Sequence, residues 1–219
     1  MDHRTQLRSG LETLYQKVLR QGSLVEEALN KAVIALSERD HELARSVIAG
    51  DAVVDRLQTE IEDEVTRLIE SGRPPLADIR ELLAVTKLCA SLERIGDHAR
   101  HMAKAVHNLP EEVIAVALPS IRDMAALGVG MVHDSLTAFV EHNPDKAREV
   151  AARDDRIDLI HKELYARLVR MMTDRPEWIA HGVSLMFLNR YLERLGDHVT
   201  NMCEWVVFSK TGVHTELNR

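Results

Sequence analysis

The chain has 219 residues, of which 45% are hydrophobic, 29% charged and 4% aromatic; that balance belongs to folded soluble proteins and argues against disorder. A formal charge of −7 offers no basic footprint for nucleic acid. No run of about 18 apolar residues occurs, so no direct membrane insertion is expected, and Met1-Asp2-His3-Arg4 does not begin a secretory signal.

Apolar residues recur at helical spacing from end to end, while sustained period-2 alternation and Asn-Gly or Asp-Gly hairpin turns are missing. Leu7, Leu11, Leu14, Val18, Val25, Leu29, Ala32, Val33 and Leu36 make a first stripe, closed by the polar turn Ser37-Glu38-Arg39-Asp40. A second stripe runs from Leu43 to Leu68 and stops at Ser71-Gly72, with Pro74-Pro75 beyond, a glycine stop followed by prolines. A third helix starts near Pro75 and ends near Asn108-Leu109-Pro110. The fourth covers about Glu111 to Glu141, with Pro119 as an expected kink. The fifth begins at Pro144, a suitable first helical residue after Asn143, and runs to about Thr173. The last runs from Pro176 to about Phe208.

Helices of about 30 residues are about 45 Å long, and short connections make neighbours antiparallel. The expected fold class is therefore all-α, as two similar antiparallel three-helix bundles over residues 1–108 and 109–219. Cys89 and Cys203 do not correspond between the halves, which fits packed thiols in a reduced, cytoplasmic protein.

The strongest internal signal is a repeat. Leu92-Glu93-Arg94-Ile95-Gly96-Asp97-His98 returns as Leu192-Glu193-Arg194-Leu195-Gly196-Asp197-His198, changed only at Ile95/Leu195. Glu93 with Asp97, and Glu193 with Asp197, are i,i+4 pairs on one helix face. The preceding helix of each half carries another such pair, Asp51 with Asp55 and Asp154 with Asp158. Counted from the intervening turns, the two pairs of each half lie at similar height, so four carboxylates should gather per bundle. Such a group repels itself unless cations, raised pKa values or solvent relieve it. Oxygen ligands favour Mg²⁺, Mn²⁺ or Ca²⁺ and also accept iron, with zinc less favoured by these residues alone.

Blander readings compete at each position. An isolated acidic pair usually marks a solvated face, and Asp51 and Asp154 could be helix caps. Gly96 and Gly196 each cost about 1 kcal/mol against alanine in a helix interior, and serve either tight helix packing or the approach of a ligand. Arg94 and Arg194 either neutralise the acidic patch or face solvent, and the second is expected. His98 and His198 point about 100° away from the neighbouring aspartates, and His161 has Gln58 as its counterpart, so it belongs to no shared site.

At these residues the chain resembles the PhoU family, over essentially its whole length. The acidic motifs read Asp51-Ala-Val-Val-Asp55, Glu93-Arg-Ile-Gly-Asp97, Asp154-Asp-Arg-Ile-Asp158 and Glu193-Arg-Leu-Gly-Asp197. The resemblance implies paired three-helix bundles, a homodimer, and clusters of iron, manganese, magnesium or zinc on those motifs. It further implies a non-catalytic adaptor between the ATPase of the phosphate ABC transporter and a phosphate-sensor histidine kinase, keeping the starvation response off when phosphate is plentiful. A ferritin-like or di-iron carboxylate protein is the rival. It usually needs Glu-x-x-His on two helices, whereas Glu93 and Glu193 are followed at that spacing by glycine. A metal-free helical scaffold is the third reading. Glycine-rich phosphate loops, Cys-x-x-Cys and Gly-x-Ser-x-Gly are absent from the sequence, so no enzyme is expected.

Overall fold

The computed structural model describes residues 3–70 and 74–217. Its helices are α1 (His3–Glu38), α2 (His41–Glu70), α3 (Leu76–Ala105), α4 (Glu111–Val140), α5 (Pro144–Ala151), α6 (Asp154–Asp174) and α7 (Ile179–Thr211), with a 3₁₀ turn at Pro176–Trp178 before α7. The expected glycine stop at Gly72 lies outside the described residues.

Local chemistry accounts for the boundaries. Asp40 Oδ1 accepts from the amides of Glu42 and Leu43 at the start of α2, and Asn143 accepts from Asp145 and Lys146 ahead of Pro144. Gly212, at φ 72°, ends α7 in the left-handed region that glycine adopts without a Cβ penalty. Pro119 is exposed, and α4 runs on through it.

One expected helix is broken. Residues 152–153 interrupt the fifth rod, where Arg153 N donates to Val150 O at 3.0 Å and Arg156 N to Arg153 O at 3.0 Å, tightened i→i−3 bonds. Asp154 and Asp155 then open α6, where acidic residues favour the positive helix end. Of the two aspartates considered as caps, Asp154 stands at a helix start, although the cap position itself is Arg153; Asp51 is mid-helix.

Pairings across the bundle fix its directions. Asp51 meets Arg100 while Cys89 feels Glu62, so α2 and α3 run antiparallel. Tyr15 with Glu81 and Gln21 with Cys89 make α1 and α3 parallel. In the second half, Asp154 abuts Gly196 and Asn189 bonds His161, an antiparallel α6–α7 pair. The halves join through α3 on α7 and α1 on α4, and one continuous apolar core runs through both. Leu92, Leu192, Ile95 and Leu195 of the repeated heptapeptide are buried in it, which explains why those positions are kept apolar beside charged ones.

By length and composition α4 is apolar enough to cross a membrane, although Arg122, Asp123 and Asp134 interrupt its apolar residues. Its Ile121, Met124, Met131, Val132, Leu136 and Phe139 are buried, and the helix packs against α1, α5, α6 and α7.

Candidate functional site

The acidic pairs from neighbouring helices do converge. Burial raises the pKa of Asp51, Arg100 opposes that rise, and Asp55 and Asp97 add to it. Glu93 is likewise raised, first by burial and then, against Arg94, by Asp97, Asp55 and Asp51. Asp51 and Glu93 therefore both stand in the field of Asp55 and Asp97. The C-terminal copy behaves the same way and more strongly. Burial, then Asp197, Asp158, Glu193 and Asp155, push Asp154 up to about 7, and Glu193 is raised by burial and by Asp197 and Asp158.

The two glycines sit where these pairs meet, but they do different work. A Cβ on Gly96 would find Val54 at 3.5 Å and Asp51 Oδ1 at 3.9 Å, ordinary contact distances. A Cβ on Gly196 would collide with the Asp154 carboxylate, whose Cγ would lie 3.0 Å away. Gly196 is thus the close-approach position, and it admits a buried carboxylate against the α7 backbone.

Cations line the clusters unevenly. Arg100 spans the N-terminal pair of helices, with Nη1 2.9 Å from Asp51 Oδ2 and Nη2 2.6 Å from Asp97 Oδ1. Arg94 faces solvent as expected, its side chain 62% exposed, and from there reaches Asp97 at 3.3 Å and Glu93 at 3.4 Å on its own helix. In the C-terminal copy Lys162 approaches Asp158 at 3.5 Å and Arg190 pairs with Glu193. Asp55 is exposed and Asp158 partly so. Among the described residues no three His, Cys, Asp or Glu side chains meet in the geometry of metal ligands; a cation shared between helices requires the carboxylates to turn inward. The donor set is wholly oxygen, is crowded with like charge and contains a carboxyl of raised pKa, which is the chemistry that a hard cation relieves.

His98 and His198 are not turned toward the carboxylates. They meet each other across the α3–α7 contact with ring centroids 5.5 Å apart, and Tyr191 stacks on His98 and His101 at 5.3 and 5.0 Å. Burial, with His198 and His101 beside it, pushes the His98 pKa down to about 4, so the ring is a neutral packing element between the halves. His161 Nδ1 donates to the Asn189 carbonyl, 3.3 Å away, and serves the α6–α7 contact.

Arg100 and Tyr191 were missed in the sequence. For Arg100 the signal was available: it lies one turn past Asp97, in a repeat whose second copy has Thr200 there. Tyr191 corresponds to Ser91 and carried no comparable mark.

The repeat and the fold both have counterparts among known proteins. The PhoU domain model matches twice, over residues 18–106 and 121–206. The chain is 37% identical over 211 residues to a phosphate-specific transport system accessory protein PhoU homolog of Clostridium acetobutylicum, covering 96% of each chain. It is 34% identical to the homolog of Streptococcus pneumoniae serotype 4, over 98% of this chain and all of that one, 100%. The crystal structure of the phosphate transport system regulatory protein PhoU from Streptococcus pneumoniae superposes with a TM-score of 0.89 at 33% identity, covering 95% of this chain and 99% of that one. PhoU from Pseudomonas aeruginosa gives 0.86 at 29% identity, over 94% and 99%. Two copies of the domain, each carrying its pair of acidic motifs at one level of a three-rod bundle, make this chain a member of the PhoU family.

Proposed function

We propose that this protein is a cytoplasmic, metal-binding adaptor that restrains phosphate uptake and the phosphate-starvation response, linking the transporter ATPase to the sensor histidine kinase. The observation that carries the metal-binding part is the convergence of Asp51, Asp55, Glu93 and Asp97, and of Asp154, Asp158, Glu193 and Asp197, into two mutually repelling carboxylate groups. A multivalent cation (iron, manganese, magnesium or zinc) would relieve that repulsion in each group and brace α2 on α3 and α6 on α7. The regulatory part is supported by relatives named as accessory and regulatory proteins of phosphate transport. No catalytic role is proposed; the protein works by presenting long helix faces, as a homodimer.

Elemental analysis of protein purified without chelators or metal-affinity resin tests the first part, with metal retained in proportion to protein as the expected result. Co-purification with the transporter ATPase and the kinase tests the second. Protein free of metal that also fails to take up added Mn²⁺, Fe²⁺, Mg²⁺ or Zn²⁺ overturns the first part, and a protein that retains neither partner overturns the second.

A further inference from the structure

Two histidines meet at the end of the molecule where the halves are joined, away from the carboxylate clusters. His41 opens α2, and His107 lies just past α3 in the connection to α4. Their Nδ1 atoms are 3.0 Å apart and their ring planes differ by 23°. About 15 Å of chain at helical rise separates His41 from Asp51, and the same separates His107 from Asp97.

Both rings are exposed, but the backbone beneath each is fixed. Asp40 accepts from the amides of Glu42 and Leu43, which sets the first turn of α2, and Ala44 is fully buried one turn on. Val106 and Leu109 are buried on either side of His107, and the Asn108 amide donates to the Ala105 carbonyl at 3.1 Å. Glu111 and Glu112 line the cleft that opens beside His107. The two nitrogens therefore face each other on turns that are already ordered, which is what a preorganised ligand pair requires.

A hydrogen bond satisfies this contact with one proton: one ring carries hydrogen on Nδ1 and the other accepts. The spacing also suits a metal ion in place of that proton. Nitrogen ligands of Zn²⁺, each about 2.0–2.1 Å from the ion, stand about 2.9 Å apart at a right angle and about 3.3 Å apart at a tetrahedral one. The observed 3.0 Å falls between these values. Imidazole suits zinc, nickel and copper, whereas the all-oxygen clusters suit harder ions.

We propose that His41 and His107 form a two-nitrogen site for a late divalent transition-metal ion such as Zn²⁺, with water completing its shell. Both rings then carry their hydrogen on Nε2, so the ion takes the place of the shared proton with no net change in protonation. The bound ion ties the α1–α2 turn to the segment that joins the halves. Under the pairing of Asp51 with Asp154 and of Glu93 with Glu193, the corresponding residues of the second half are Pro144 and Val207. The site is thus single, not repeated, and it stands independently of the carboxylate clusters.

Equilibrium dialysis of the chelator-treated, untagged full chain against Zn²⁺ tests it, together with anomalous diffraction at the zinc edge from soaked crystals. Wild-type protein is expected to hold one Zn²⁺ more than His41→Gln or His107→Gln. Both variants should lose the same ion, with affinity at that site down tenfold or more and helical circular dichroism unchanged. Asp97→Ala/Asp197→Ala is expected to keep this ion, and the anomalous peak should lie between the two Nδ1 atoms. Equal Zn²⁺ uptake by wild type and the folded histidine variants would leave a hydrogen bond only and overturn the site. Uptake lost entirely in the carboxylate double variant, with both histidines in place, would assign the ion to the acidic clusters and overturn it equally. Zn²⁺ found at the histidines supports the site whatever the clusters bind.

Discussion

The carboxylate of Asp154 lies where a side chain on Gly196 would stand. The two residues are 42 apart in the sequence and belong to different helices, so the absence of a Cβ on α7 is what lets an acidic group of α6 be buried at the helix contact. Gly196→Ala must push Asp154 out or spread the helices. Alanine itself favours a helix by about 1 kcal/mol over glycine, whereas forcing atoms into a packed contact costs about 1–3 kcal/mol. The net expectation is a loss of up to about 2 kcal/mol, read by urea denaturation. The matched Gly96→Ala change meets only contacts of 3.5 Å and beyond, so it should be neutral or stabilising. Equal effects at the two glycines would contradict this difference.

Asp154 also sets a pH dependence. Its folded pKa is raised from 3.8 to about 7, so the folded state binds the proton more tightly than the unfolded state does. Below pH 3.8 both states are protonated and the group contributes no penalty. Stability then falls as pH rises from there to about 7, and levels off above. Each tenfold change in proton affinity is worth about 1.4 kcal/mol, so the total is on the order of 4 kcal/mol. Asp51, Glu93 and Glu193 are raised as well and add with the same sign. Denaturation of chelator-treated protein between pH 4 and 8 should trace this decline, and Asp154→Asn should flatten it. A wild-type slope of the opposite sign across that range would remove the case for a raised Asp154.

Much of this arrangement was legible in the sequence because helical period, repeat and spacing are local properties. The i,i+4 acidic pairs and their common height followed from 3.6 residues per turn and from the positions of the turns. What was not legible depends on contacts between helices. The break before Asp154 has no Pro or Gly to announce it: the sequence there is Ala151-Ala152-Arg153, and the tightened turn shows only in the bonds of Arg153 and Arg156. Arg94 is in solvent as expected, but helix position alone does not say that its long side chain also folds back to Glu93 and Asp97. His98 was correctly aimed away from Asp97, but its destination, Tyr191 and His198 on α7, depends on how the halves dock.

The packing of the second half depends on another glycine. A Cβ on Gly128 of α4 would meet three atoms of Leu195, a fully buried residue of the repeated heptapeptide. Gly22 of α1 faces Leu136 of α4, where one terminal methyl is in severe conflict and the next atom is 3.6 Å away. Rotation of Leu136 can relieve Gly22→Ala, whereas Gly128→Ala must displace the whole Leu195 side chain. After the helix gain of alanine, the expected ordering is a loss of up to about 2 kcal/mol for Gly128→Ala and a smaller change for Gly22→Ala. Urea midpoints measured at constant m-value decide it.

Cys89 and Cys203 are both fully buried, and burial pushes each thiol up to about 12. The thiolate is the reactive form, so neither should react with an aromatic disulfide reagent at neutral pH while the protein is folded. Two equivalents are expected to appear on denaturation, matching the two cysteines of the chain. Stoichiometric labelling of native protein would contradict the packing of α3 and α7 around them.

Asp97 and Asp197 occupy the same repeat position but should respond oppositely to removal when metal is absent. Asp97 accepts from Arg100 at 2.6 Å, so Asp97→Ala leaves that guanidinium with Asp51 alone and is expected to lower stability by about 1 kcal/mol. Asp197 is the neighbouring charge acting most strongly on Asp154, after burial itself. Asp197→Ala relieves that repulsion and is expected to stabilise the metal-free protein by up to about 1 kcal/mol, the scale of two charges about 4 Å apart in water. The double variant should therefore keep its helical circular dichroism and a midpoint near that of the wild type, while its bound metal falls. Unchanged metal stoichiometry in a folded double variant would count against the carboxylate clusters as the metal sites. Destabilisation of the metal-free protein by both single changes would count against the difference between the halves.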